Sequence, residues 1–142
     1  MSGVYGQYDH TVDAKGRMNF PAKFREYFGE TFYITRSLQA DCLMVRTVES
    51  WAKLEQTLEE LPDDISVPIQ RYVIGCASEV QPDKQGRVAL SPALRKSAGI
   101  DTEVVVIGLG DRAEIWSSEK YYANQEIFDR TAIAELAKGL KL

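Results

Sequence analysis

DAKGRMNFPAKFR, residues 13–25, returns as DKQGRVALSPALR, residues 83–95. In each copy an Asp is followed three positions on by Gly and four positions on by Arg: Asp13, Gly16 and Arg17, then Asp83, Gly86 and Arg87. A short apolar run then leads into a Pro-containing helical turn that closes on Arg25 or Arg95. One Asp four residues ahead of one Arg says little. Two copies 70 positions apart make an internal repeat, and a repeat governs the architecture. The same offset sets Gly29 on Gly99, Asp41 on Asp111, Glu49 on Glu119 and Trp51 on Tyr121. Pro21 breaks the frame: it falls on Ser91, with Pro92 one residue later, so the short helix is expected to start differently in the two halves.

Around each motif the pattern reads as strand, turn, strand, short helix. Val4–Val12 is rich in β-branched and aromatic residues and predicts a strand. Asp13-Ala-Lys-Gly is a turn, because Asp bonds its own backbone two residues on and Gly16 tolerates positive φ. Arg17–Phe20 is the returning strand, Pro21 opens a helix and Gly29 ends it. Thr31–Ser37 and Cys42–Thr47 follow as strands. Thr47 then caps a helix carrying Trp51, Leu54, Leu58 and Leu61 on one face, which Pro62 stops. Asp63–Pro68 reads as the link between halves. The order then repeats: strand Val73–Val80, turn Pro82–Gly86, strand Arg87–Leu90, helix Pro92–Ala98 and strands Thr102–Leu109 and Arg112–Trp116. A helix opened by Ser117 or Ser118 carries Tyr121, Tyr122 and Phe128. In the tail Ile133, Leu136 and Leu140 share a face, which is either docked core or, in an oligomer, a partner surface.

The 142 residues suit one domain, or two small ones that do not stand apart. The expected division is 1–62 for the first repeat and 63–142 for the second, with its C-terminal helix. No apolar run approaches the roughly 20 residues that span a bilayer, and the first residues do not resemble a signal peptide, so a cytoplasmic location without membrane contact is expected. Cys42 and Cys76 match neither a zinc pattern nor a disulfide framework and read as small buried side chains; no metal and no cofactor is expected. The net charge of −4 argues against a generic nucleic-acid binder, but its distribution matters more. Residues 13–25 carry +3, residues 83–96 carry +3, and residues 49–64 carry −5. A polarised molecule follows, with one face suited to phosphate.

The doubled pattern Asp13/Arg17 and Asp83/Arg87, each followed by a Pro-containing apolar segment, resembles the MraZ family, as do the ITRSL (34–38) and GLGDRAEIW (108–116) segments. The similarity runs over essentially the whole chain. Each half also looks like one AbrB-type module. The resemblance therefore implies an α+β fold, a tandem swapped-hairpin β-barrel with flanking short helices, in which one chain makes what AbrB makes from two. Pro92 and Gln85 (where the first copy has Lys15) depart from strict equivalence. The resemblance further implies a bacterial transcriptional regulator that is nucleoid-associated and forms ring-shaped homo-oligomers. Such a regulator binds short direct repeats in double-stranded DNA upstream of the division and cell-wall gene cluster, usually repressing that cluster and its own gene.

The residues on their own terms suit such a role. Arg17 and Arg87 follow a glycine turn at a hairpin tip, where a guanidinium fork reaches two phosphate oxygens or the O6/N7 edge of guanine. Lys15 and Lys84 in the turns add non-specific attraction, and Asp13, Gly16, Asp83 and Gly86 hold the turns. By resemblance to AbrB-like modules, Arg25, Arg95 and Lys96 form a second basic cluster that grips phosphates. A ring would align many such edges along one duplex, and subunits related by rotation in one sense would read direct repeats. It needs a head-to-tail interface, for which the acidic helix 48–61 and the tail near Ile133 to Leu142 are candidates. Two rivals remain. Catalysis finds little support, since the single histidine, His10, has no nucleophile or carboxylate cluster at a recognisable spacing and GLG at 108–110 is not a phosphate-binding loop. An antitoxin-like protein-interaction module with secondary DNA binding is the other.

Overall fold

In the computed structural model, which describes residues 3–142, each repeat contributes strands to the other. The first half runs β1 (Val4–Thr11), β2 (Arg17–Asn19), α1 (Ala22–Phe28), β3 (Phe32–Arg36), β4 (Leu43–Arg46) and α2 (Val48–Glu60). A connection of α3 (Asp63–Ile69) and a π-helical turn (Gln70–Ile74) leads to β5 (Ser78–Val80), β6 (Arg87–Ala89), α4 (Pro92–Ala98), β7 (Glu103–Gly110) and β8 (Ala113–Ser117). Three short helices end the chain: α5 (Ser118–Ala123), α6 (Gln125–Phe128) and α7 (Arg130–Leu136).

Among the described residues, six strands form an antiparallel sheet in the order β1-β7-β8-β4-β3-β5, and β2 pairs with β6 in a separate ribbon. The first strand of each repeat pairs with the third strand of the other: Val4 lies opposite Gly110 and Phe32 opposite Val80. Exchanging the repeats reverses the order into itself, so a pseudo-twofold axis passes between β4 and β8. The ribbon and the helices after it obey the 70-residue offset, since residues 17–19 and 22–28 answer to 87–89 and 92–98. The third strands do not. Ile34 lies opposite Val45 while Val106 lies opposite Ile115, an offset of 72. A shift of two keeps every side chain on its face, so the core survives it.

The inner face of the sheet buries Phe32, Ile34, Val104 and Val106 against the ribbon's Met18 and Val88 and against Phe24 and Leu94 of the short helices. Phe20 stacks on Phe32 with centroids 5.2 Å apart, and Tyr8 meets Phe24 edge-on at 5.3 Å. On the outer face, Trp51 of α2 stacks on Tyr33 at 4.5 Å, and Tyr121 of α5 packs against Trp116 at 5.7 Å. Cys42 is buried there beside Trp116, and burial first, then Glu114, pushes its thiol up to about 12; Cys76 is only half-buried. The short helices do start differently. Pro21 holds the cap position of α1 without a side-chain bond, whereas Ser91 Oγ accepts from Leu94 N at 3.2 Å and Pro92 follows as the first helical residue.

Three expectations are corrected. Asp63–Pro68 is not a plain linker but most of α3: Pro62 and the carboxylates of Asp63 and Asp64 favour a helix start. Pro68 has no N–H to give, and the helix continues in π geometry, with Gly75 N bonding Gln70 O at 2.9 Å. The strand read from Val73 begins only at Ser78; Val73 is fully buried on the π turn, and a short apolar run does not distinguish a strand from a buried helical turn. The helix carrying Tyr121, Tyr122 and Phe128 breaks at Asn124, whose side chain caps α6. The tail does not dock as core, because α7 buries no residue and Ile133, Leu136 and Leu140 are 50%, 78% and 63% exposed.

Candidate nucleic-acid interface

The D-x-x-x-R spacing closes a compact set of bonds. Asp13 Oδ1 accepts from the backbone N–H of Lys15 and of Arg17, both at 2.9 Å, while Oδ2 accepts from Arg17 Nε at 2.9 Å. The main chains of Asp13 and Arg17 bond as well (N to O, 2.8 Å), and Gly16 N returns to Asp13 O at 2.9 Å. The second copy repeats this: Asp83 Oδ1 takes the N–H of Gln85 and of Arg87, and Oδ2 takes Arg87 Nε, each at 2.9 Å. Only the backbone of position 15 or 85 takes part, which is why Gln85 replaces Lys15 without cost to the turn. Each Asp thus spends one oxygen on the turn and one on aiming its Arg. The bond uses only Nε, leaving the terminal guanidinium nitrogens without a protein partner among the described residues.

The ribbon then decides where these side chains go. Met18 and Val88 point into the core, so the alternate positions Arg17, Asn19, Arg87 and Ala89 face outward. Arg17 lies opposite Ala89 and Arg87 opposite Asn19, which makes the two arginines diagonal neighbours with Cα atoms about 8 Å apart. Leu90 N bonds Gly16 O at 2.8 Å and Phe20 N bonds Gly86 O at 3.1 Å, so each glycine turn is pinned by the opposite repeat.

Arg25 and Arg95 are half-buried. Each gives its Nε to its own repeat, Arg25 to Phe20 O at 3.2 Å and Arg95 to Leu90 O at 3.1 Å. Each also lies over the glycine of the other repeat. A Cβ built on Gly86 would sit 2.6 Å from Arg25 Cζ, and one on Gly16 would sit 2.7 Å from Leu90 O and 3.1 Å from Arg95 Nε. Lys15 shares a groove of about 510 Å³ with Ala89, Leu90 and Arg95. Lys84 is exposed on its turn, and Lys96 is exposed in the last turn of α4. Asn19 shares the outward face of the ribbon beside the arginines, and the alternation Arg-Met-Asn with Met inside is the sequence signal for that placement. The acidic stretch 49–64 lies on α2 and α3, and α2 packs through Trp51 on the outer face of the sheet, away from the ribbon.

The carboxyls of Asp13 and Asp83 are held below the ordinary range, first by the backbone N–H of Arg17 or Arg87 and then by its side chain, with desolvation opposing. A depressed carboxyl supports the fold above its unfolded-state pKa, and the support fades as pH falls through the folded-state value. The Asp-held turns are therefore expected to persist through neutral pH and to loosen only in acid below about 4. Carboxyl NMR shifts of both residues, followed from neutral pH downward, check this; midpoints at or above the ordinary Asp value would contradict it.

His10, on β1, has a buried Nε2 with no partner, and burial pushes its pKa down despite Asp9. Among the described residues no cluster of three or more His, Cys, Asp or Glu is arranged to hold a metal ion, and no helix is long and apolar enough to cross a membrane.

A family model described as "MraZ protein, putative antitoxin-like" matches residues 4–65 and 73–139. The chain belongs to the MraZ family. The two matched segments are the two repeats, and the unmatched residues between them lie in the α3–π connection. Among MraZ relatives, a transcriptional regulator from Acetivibrio thermocellus is 40% identical over 136 residues, covering 92% of this chain and 94% of its own. One from Thermoanaerobacter sp. (strain X514) is 42% identical over 143 residues, covering 98% and 99%. One from Caldanaerobacter subterraneus is 42% identical over 139 residues, covering 96% of each chain. These MraZ relatives are named as regulators of transcription, which are not enzymes.

Proposed function

We propose that this chain is a DNA-binding transcriptional regulator that reads duplex DNA with the outward face of the β2–β6 ribbon. The observation that carries the reading is the pair of identically held arginines, Arg17 and Arg87, set diagonally on one small surface. An Arg fork aimed by a carboxylate is pre-organised for the O6/N7 edge of guanine, and the amide of Asn19 beside it suits adenine. Lys15, Lys84 and Lys96, with the terminal nitrogens of Arg25 and Arg95, supply attraction for phosphates. Asp13, Gly16, Asp83 and Gly86 build the two tips.

The finer reading follows the family. The two repeats, 1–62 and 63–142, act as the halves of an AbrB-like swapped-hairpin barrel. Copies assemble into a ring whose ribbons engage direct repeats upstream of the division and cell-wall genes, repressing them and the chain's own gene. The protein then acts in the cytoplasm, at the nucleoid. A ring requires a head-to-tail contact, and the exposed stripe Ile133, Leu136 and Leu140 offers apolar surface for one.

Footprinting the purified protein on the DNA upstream of its own gene, with light scattering for size, tests this. Protection of regularly spaced repeats is expected; uniform weak protection would end the sequence-specific reading. Lys96→Ala is expected to weaken all sequences alike, and binding to fall steeply with salt. A second reading, an antitoxin-like module that holds a partner protein, is favoured by the same undocked stripe. A flat salt titration would support it over the first.

A further inference from the structure

Arg46 ends β4 on the outer face of the sheet, directly before the Thr47 cap of α2. One step beyond the Val45–Ala113 pair it stands across from Arg112, and it lies opposite Tyr33 of β3 on its other side. It is half-buried, its Nε is enclosed without a hydrogen-bond partner, and among the described residues it makes no ion pair. Of the acids around it, Glu79 accepts from Tyr33 Oη at 3.1 Å, Glu114 from Trp116 Nε1 at 2.9 Å and Asp111 from Arg112 Nη1 at 2.9 Å, while Glu55 of α2, whose charge reaches Tyr33, makes no ion pair with Arg46 among the described residues. Burial, and then the charge of Arg112, lowers the pKa of Arg46, and no acid acts against them.

A partly desolvated guanidinium facing a second one is a costly arrangement unless an anion completes it. We propose that Arg46 and Arg112 form a binding site for an oxyanion, a phosphate or carboxylate group, on the face of the sheet that carries α2. The β2–β6 ribbon covers the opposite face, so a duplex seated on the ribbon does not supply the anion. Two sources share the required chemistry: a dissolved small molecule bearing phosphate or carboxylate, or an acidic side chain of a second copy.

The test compares full-length wild type, Arg46→Met and Arg17→Ala in sodium phosphate and in sodium chloride of matched ionic strength, by thermal unfolding and by light scattering over a dilution series. If the source is dissolved, phosphate raises the wild-type Tm saturably by roughly 3–5 °C at ten times its dissociation constant. Arg17→Ala keeps that response and Arg46→Met loses it. If the source is a second copy, phosphate leaves the Tm unchanged, but Arg46→Met shifts the concentration for assembly at least tenfold while Arg17→Ala does not. Should Arg46→Met fail to fold, Arg112→Met serves with the same readouts. Equal phosphate responses and equal assembly in wild type and the arginine variants would overturn the site.

Discussion

Alanine at both Arg17 and Arg87 is expected to abolish discrimination between the cognate duplex and a scrambled one while leaving the fold intact. A base-contacting Arg contributes about 1–3 kcal/mol per engaged site, which is roughly 5–150-fold in affinity. Each single variant should therefore lose one such factor. The double variant should lose more than either, though not strictly the product, because neighbours this close couple. Folding is spared because the ion pairs removed are half-exposed, with 35% and 28% of the arginine side chains accessible, and pairs of this kind contribute little to stability. Gel shifts on the footprinted site, with circular dichroism as the folding control, read the result. A double variant that binds the cognate site within about twofold of wild type would remove the ribbon from the recognition surface.

The second large effect concerns the glycines, where the pseudo-equivalent positions are expected to respond unequally. Gly16 and Gly86 both hold positive φ, 81° and 77°, so alanine strains either turn. At Gly16 the added Cβ would also meet the backbone carbonyl of Leu90 at 2.7 Å, and that segment cannot retreat without losing the Leu90 N–H bond to Gly16 O. At Gly86 the obstacle is the end of the Arg25 side chain, at 2.6 Å, which swings aside by giving up its bond to Phe20 O. Gly16→Ala is thus expected to cost about 2–4 kcal/mol and Gly86→Ala about 1–2 kcal/mol, in line with strain plus a backbone clash against strain alone. Denaturant melts of the two variants decide it. Equal losses would mean that the Leu90 segment yields as readily as an arginine side chain.

Much of the candidate interface was legible in the linear sequence because its bonds are local. Asp13 reaches Lys15 and Arg17 within four residues, and Asp83 does the same with Gln85 and Arg87, so spacing alone carried the turn and the arginine. The short helices were equally plain, since Pro92, Ser91 and Gly99 mark their ends by their own backbone preferences. Arg25 and Arg95 were legible as basic residues but not as covers for the opposite glycines, because that contact joins residues some 60 to 80 positions apart. The Asp63–Pro68 link was misread for a different reason. Pro62 and Pro68 look like loop punctuation, yet the first fits a helix start and the second was absorbed by a change to π geometry. The approach of Arg112 to Arg46 was invisible, as neither residue belongs to the repeat motif.

Residue order alone settled that the chain is a duplicated strand–turn–strand–helix unit with an aspartate-held arginine at each tip, because hydrogen bonds spanning four residues are closed by local geometry. Tertiary structure alone decided that the first strand of each repeat pairs with the third strand of the other, bringing both tips onto one ribbon and sending the acidic helices to the far face. Two similar repeats offer each strand nearly equivalent edges in its own half and in the other. Only the shared core, where Met18 and Val88 bury together against Phe32 and Val104, distinguishes between them.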